Sequence, residues 1–270
     1  MLKDLLPNLG KQTYIMGILN LTADSFSGDG LLQQGEPLRA ALEQARAFAS
    51  EGAQILDIGA ESTRPGARPV PAGQELERLL PVLNALREEL PDIILSVDTT
   101  KAAVAEEALR AGAHIINDVW GLRADPLMGQ TAAGHNAGLV LMHNRSTPQN
   151  AALDTSLGGR YVDVAYDDVC AEVADGLRQS VEIAREAGVR DGQIMLDPCI
   201  GFGKTTAQNL RLLKELEYFK TLGFPLLLGV SRKSFIGYTL NLPPEERLEG
   251  SLAANAYGIL HGADILRVHD

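Results

Sequence analysis

Eight short apolar runs, each ending on a polar residue able to do chemistry, constrain this chain more than any other feature. Ile15-Met16-Gly17-Ile18-Leu19 stops at Asn20, and Ile55-Leu56 stops at Asp57. Ile93-Ile94-Leu95-Ser96-Val97 stops at Asp98, Ile115-Ile116 at Asn117-Asp118, and Leu139-Val140-Leu141-Met142 at His143. Ile194-Met195-Leu196 precedes Asp197, Leu226-Leu227-Leu228-Gly229-Val230 precedes Ser231-Arg232-Lys233, and Ile265-Leu266 precedes Arg267-Val268-His269. A strand that is apolar throughout is buried on both faces, as in a parallel sheet. A polar residue at its carboxyl end then opens into the active-site end of a barrel.

Between these runs lie amphipathic segments rich in Ala, Leu and Glu, the clearest being 37–51, 74–90, 101–111, 162–187 and 208–222. Several end on a helix-stopping glycine: Gly52, Gly112, Gly188 and Gly223. Strand and helix therefore alternate with a mean spacing of about 35 residues, which eight units in a (β/α)8 TIM barrel of ~250 residues require. The chain has 270 residues and no linker-like break, so the expectation is a single domain over residues 1–270. The sequence stops at Asp270 directly after the eighth strand, so the last helix of the barrel is expected to be missing. Residues 20–34 and 60–73 read as lid-like loops, and 144–160 as a polar insertion.

The net charge of −11 argues against nonspecific binding to nucleic acid or to an anionic membrane. No apolar stretch approaches the ~18 residues a membrane span needs. The amino-terminal residues are too charged for a signal peptide, and the two cysteines lack metal spacing. Together these place the chain in the reducing cytoplasm.

Gly201-Phe202-Gly203-Lys204-Thr205 suggests a phosphate loop, but Pro198 stands where that motif needs its first glycine. Thr206 likewise breaks a dinucleotide fingerprint. Glu61-Ser62-Thr63-Arg64-Pro65-Gly66 reads either as a solvated Pro-Gly turn or as a lid offering a hydroxyl and a planar cation to an anion. Ser231-Arg232-Lys233 and Arg267-x-His269 put cations on strands seven and eight, where barrels commonly bind phosphate. Asp57, Asp98, Asn117 and Asp197 suit a donor-rich heterocycle better than zinc, with Asp57 and Asp118 the leading candidates for a structural role.

Jointly these motifs resemble the dihydropteroate synthase family of pterin-binding barrels. The resemblance rests on Met16 to Asn20 with Asp24 to Ser27, Asp57-Ile58-Gly59 with Glu61 to Gly66, and Ser96 to Thr99. It continues through Ile116 to Asp118, Met142-His143, Asp197-Pro198 with Gly201 to Lys204, Gly229 to Phe235, and Arg267 to Asp270. It implies condensation of (7,8-dihydropterin-6-yl)methyl diphosphate with 4-aminobenzoate in a homodimeric, Mg2+-dependent transferase.

By the same resemblance Asn20 would hold Mg2+ on the diphosphate, and Arg64, Arg267 and His269 would cradle its oxygens. Asp98, Asn117, Asp197 and Lys233 would hold the pterin edge, with Met142 and Phe202 on its faces and Gly229 beside it. Thr63, Pro65, Phe26 and Ser234 would shape the aminobenzoate pocket, and Asp98, Lys233, Arg64 and Asp29 would be catalytic. Ala23 stands where the family has proline, Gly28-Asp29-Gly30 reorders the end of the first loop, and Ala60 replaces a glycine. Cys199 replaces the glycine of Asp-Pro-Gly, which implies a crowded or oxidisable pocket. Two alternatives share the pterin acids: a corrinoid-linked methyltetrahydrofolate methyltransferase and a non-catalytic pterin-binding relative.

Overall fold

The structure, a computed structural model, describes residues 2–22, 37–62, 69–154 and 156–270. All eight apolar runs contribute strands to one parallel sheet. These are β1 (Tyr14–Asn20), β2 (Ile55–Gly59), β3 (Ile94–Asp98), β4 (Ile115–Asp118), β5 (Gly138–Met142), β8 (Ile194–Asp197), β9 (Leu227–Leu228) and β10 (Ile265–Val268). Their spatial order is β8-β5-β4-β3-β2-β1-β10-β9. A single bridge between Leu196 and Leu226, with Leu196 N–H donating to Pro225 O at 2.9 Å, joins the two ends. The fold is a TIM barrel.

Side chains alternate across each strand, so each apolar run feeds two cores. One set, Met16, Ile55, Ile94, Ile115, Val140, Met195, Leu227 and Ile265, forms the barrel interior. The intervening set, including Leu56, Leu95, Ile116, Leu139, Leu196, Leu228 and Leu266, packs outward against the helices. The interior is closed at its amino end by helix α1 (Leu2–Leu5), whose Leu2 lies against Gly138 while Leu6 is fully buried.

The outer helices are α2 (Pro37–Ser50), α3 (Ala72–Glu89), α4 (Ala102–Arg110), α5 (Met128–Gly134), α6 (Val169–Glu186), α7 (Thr206–Lys214), α8 (Ser234–Leu240) and α9 (Leu248–Leu260). The stop at Gly112 is set by its left-handed backbone, φ +102°, which glycine adopts without strain.

Two expectations need correction. The segment expected to be helical from 162 begins only at Val169, because Asp168 caps it, its Oδ1 accepting from Cys170 N and Ala171 N at 3.0 and 3.2 Å. The insertion at 144–160 is not irregular: β6 (Ala151–Asp154) and β7 (Gly158–Tyr161) pair as an antiparallel hairpin. After β10 the outer groove between α2 and α9, lined by Ile15, Phe48, Leu252, Ile259 and Leu266, carries no helix among the described residues.

Leu6→Ala should lower unfolding stability by about 2–5 kcal/mol, the cost of emptying a fully packed leucine site. An unchanged urea midpoint would show that α1 does not plug the barrel.

Candidate active site

Above the apolar interior layer the same strand faces turn polar, and the residues at this level are tied by charge. Asp57 is the hub and is fully buried. Its Oδ1 accepts from Ser96 Oγ at 2.6 Å, and its Oδ2 accepts from Asn117 Nδ2 at 3.0 Å and from Arg267 Nε at 2.6 Å. Arg267 Nη2 reaches Asp98 Oδ2 at 2.9 Å, so one guanidinium serves two carboxylates. Burial pulls Arg267 down, but Asp57 and Asp98 outweigh it and keep the guanidinium charged. For Asp98 burial dominates: against the pull of Arg267, and with repulsion from Asp57, its carboxyl is pushed up to about 7.

The second wall comes from β8 and β9. Asp197 is buried, and Cys199 N–H donates to its Oδ1 at 2.6 Å. Burial raises this carboxyl too, opposed chiefly by Lys233. Lys233 lies with its Nζ 4.9 Å from the centre of the Phe202 ring and donates to the Ile200 carbonyl. Burial lowers the Lys233 ammonium, a cost that the neighbouring Asp197 offsets in part. Gly229 leaves the space between Lys233 and Arg267 open, since a β-carbon there would sit 3.8 Å from each.

These walls enclose one cavity of about 170 Å³ that also takes in Asn20, Met142, Ser234 and His269. The expected pterin and diphosphate residues Asn20, Asp98, Asn117, Met142, Asp197, Phe202, Gly229, Lys233, Arg267 and His269 therefore share one cup, and Ser234, expected in the aminobenzoate pocket, lines it as well. Phe26 and Asp29, and likewise Thr63, Arg64 and Pro65, lie outside the described residues.

The expected cation cluster on strands seven and eight is divided. Arg267 is engaged by the two interior carboxylates, Arg232 Nε pairs with Asp270 Oδ2 at 2.7 Å, and Lys233 turns to Phe202 and Asp197. Ring and hydroxyl meet at the rim, where His269 Nδ1 lies 3.1 Å from Ser231 Oγ.

Several residues near the cup are structural. Asp118 Oδ1 and Oδ2 accept from Trp120 N at 2.9 Å and Leu122 N at 2.7 Å, fixing a turn. Lys204 Nζ donates to the carbonyls of His143, Cys199 and Phe202 at 2.9–3.0 Å, and burial lowers it to about 8. His143 points away from the cup against α6 at Gly176, and burial pushes it down to about 2. Cys199 keeps the left-handed backbone of a glycine, with φ +57°. Its thiol is fully buried and raised by burial to about 12, so the expected oxidisable site is an inert one. Ser96 was not among the expected site residues, although its place two residues before Asp98 puts both on one strand face.

Two acceptor oxygens facing this polar layer, Asn117 Oδ1 and Asp197 Oδ2, are buried without a hydrogen-bond partner. A buried acceptor left unmade costs roughly 1–3 kcal/mol, so the cup is built for a ligand whose N–H groups supply the missing donors.

Comparison with known proteins agrees with this parallel barrel. The pterin binding enzyme family matches residues 16–269. The chain belongs to that family, on the side of its dihydropteroate synthases. A dihydropteroate synthase of Bacillus subtilis is 48% identical over 260 residues, 96% of this chain and 84% of that protein. A crystal structure of a dihydropteroate synthase from Clostridium difficile in the presence of pteroic acid aligns with TM-score 0.85 and 44% identity, covering 97% of this chain and 93% of that one. One from Xanthomonas albilineans with 4-aminobenzoic acid aligns with TM-score 0.85 and 40% identity, covering 97% and 89%.

The folded protein holds the Asp98 proton more tightly than an unfolded chain, where aspartate titrates near 3.8. Its contribution to stability is therefore full below about pH 4 and lost as the pH rises to about 7. Asp98→Asn should flatten this part of the stability profile in denaturant titrations; an identical slope would remove Asp98 as its source.

Proposed function

We propose that the cup binds (7,8-dihydropterin-6-yl)methyl diphosphate with the ring deep and the diphosphate at the rim, and joins it to 4-aminobenzoate. The products are 7,8-dihydropteroate and pyrophosphate. The observation that carries this placement is the pair of unpartnered acceptors, Asn117 Oδ1 and Asp197 Oδ2. They face a ligand edge that must donate, as the amino and ring N–H groups of a pterin do. Met142 and Phe202 offer apolar surface to the ring faces, and Lys233 above Phe202 supplies a donor for a ring acceptor.

In the reaction the bond between the methylene carbon and the diphosphate oxygen breaks, and the departing group takes the electron pair. The amine lone pair closes on the same carbon, and the nitrogen then loses a proton. Asp57, Asp98 and Asp197 form an acidic floor that favours positive charge spreading from the methylene into the ring. His269 meets the phosphates at the rim, with Arg267 beneath it, and the family resemblance assigns Arg64 to the same oxygens. Orientation and exclusion of water suffice for the amine, which needs no protein nucleophile.

Mg2+ fits the rim. It prefers hard oxygen donors and takes most of its ligands from phosphates and water, so one carboxamide such as Asn20 meets its demand. Among the described residues no three His, Cys, Asp or Glu side chains converge as a ready-made metal site. When bound it would neutralise charge on the leaving diphosphate.

The enzyme is further proposed to be a cytoplasmic homodimer. No described helix is long and apolar enough to cross a membrane. Light scattering should give twice the monomer mass; a monomer at micromolar concentration would refute the dimer.

A pyrophosphate-release assay with both substrates and Mg2+ tests the main reading, and pterin binding without release would favour a non-catalytic relative. Asp197→Ala and Lys233→Ala should each weaken pterin diphosphate binding by about 1–3 kcal/mol, measured by calorimetry. Unchanged affinity in both would remove the pterin pocket. Arg64→Ala should chiefly slow turnover.

A further inference from the structure

The β6–β7 hairpin is a small antiparallel ribbon set into the β5–α6 connection at the mouth of a parallel barrel. Two strands of four residues are marginal in water and must be held. Here they are pinned from one side. Tyr238 of α8 donates from its hydroxyl to Gly158 O at 3.0 Å, and the Arg160 guanidinium lies 4.6 Å from the centre of the Tyr238 ring. Arg247 Nη2 donates to Leu157 O at 2.9 Å.

Arg247 is fully buried, and no carboxylate pairs with it among the described residues. Its remaining bonds go to the carbonyls of Leu242 and Arg232, both at 3.1 Å. Desolvating a guanidinium against carbonyls alone is costly. What this cation joins is specific: the hairpin turn at Leu157 and the Ser231–Lys233 turn that feeds the cup.

Strand register shows what the hairpin presents. Ala151 pairs with Tyr161 and Leu153 with Gly159, and paired residues lie on one face of the ribbon. Gly159 and Tyr161 line the cup. Leu153 therefore shares the cup-side face, yet it is 75% exposed. The opposite face carries Arg160, turned to Tyr238. The ribbon is thus amphipathic, and its apolar side, Ala151, Leu153, Gly159 and Tyr161, borders the mouth beyond the pterin layer.

We infer that this hairpin is a fixed wall of the acceptor site, with Leu153 and Tyr161 packing against the ring of the incoming aromatic amine and setting its fit. The inference rests on the reaction proposed above, since it assigns the second substrate of that reaction to this face. Arg247 and Tyr238 act as positioning residues, holding the wall in place without touching the substrate.

The test uses Leu153→Asn, which alters an exposed side chain and leaves folding undisturbed, beside Tyr161→Ala. KM for 4-aminobenzoate should rise about fivefold or more in each, the scale of losing part of a leucine or aromatic contact. In Leu153→Asn the Kd for pterin diphosphate, measured by calorimetry without amine, should stay within about twofold, because that side chain is exposed and does not line the cup. An unchanged KM in Leu153→Asn would overturn the inference, whatever Tyr161→Ala does. So would a rise in pterin Kd matching the rise in KM, which would put the hairpin on the pterin side. Failure of the underlying reaction is read separately, as absence of pyrophosphate release by the unaltered enzyme.

Discussion

The site depends on one ion cluster: Arg267 between Asp57 and Asp98 inside the barrel, with Nε–Oδ2 at 2.6 Å and Nη2–Oδ2 at 2.9 Å. Two carboxylates at this depth would repel each other and stay protonated without a cation, and a lone guanidinium would not leave water. Each makes the others tenable. Because Asp57 also takes hydrogen bonds from Ser96 and Asn117, strands β2, β3, β4 and β10 are set relative to one another by a single carboxylate.

This fixes what remains available to a ligand. Asn117 spends its Nδ2 on Asp57, which orients its Oδ1 as an unused acceptor. Asp197 spends one oxygen on the backbone at Cys199 and leaves the other. Lys204 ties three carbonyls beneath the loop that carries Phe202, so the surface under Lys233 is rigid. A cup preorganised in this way loses little when a flat, donor-rich ring enters, and its acidic floor is in place before charge develops on that ring.

Much of this was legible along the chain. The eight barrel strands and most helices follow from local pattern, and the polar residues closing most runs did mark the cup, whereas His143 turns away from it against α6. Other assignments needed partners. Asp57 and Asp118 look alike in sequence, each closing an apolar run, directly or after Asn117, yet one is the hub of the site and the other holds a turn. Alternation would have separated them, since Asp57 lies two residues after interior Ile55, whereas Asp118 lies three after interior Ile115. Lys204 and Lys233 both follow glycine-bearing turns; only packing shows that the first is a staple and the second faces the cavity. Arg247 carried no signal at all, being one charge among many before a helix.

The order of residues by itself determined the barrel, because the two-residue period of strands and the 3.6-residue period of helices are local properties that neighbours impose. It also determined which end of the barrel is chemical, since polarity changes at one end of every strand. Tertiary structure alone decided which charges are spent and which are left for a ligand. Arg267 and Asp57 are 210 positions apart, and a guanidinium chooses its carboxylate by a distance of 2.6 Å that exists only once the barrel has closed.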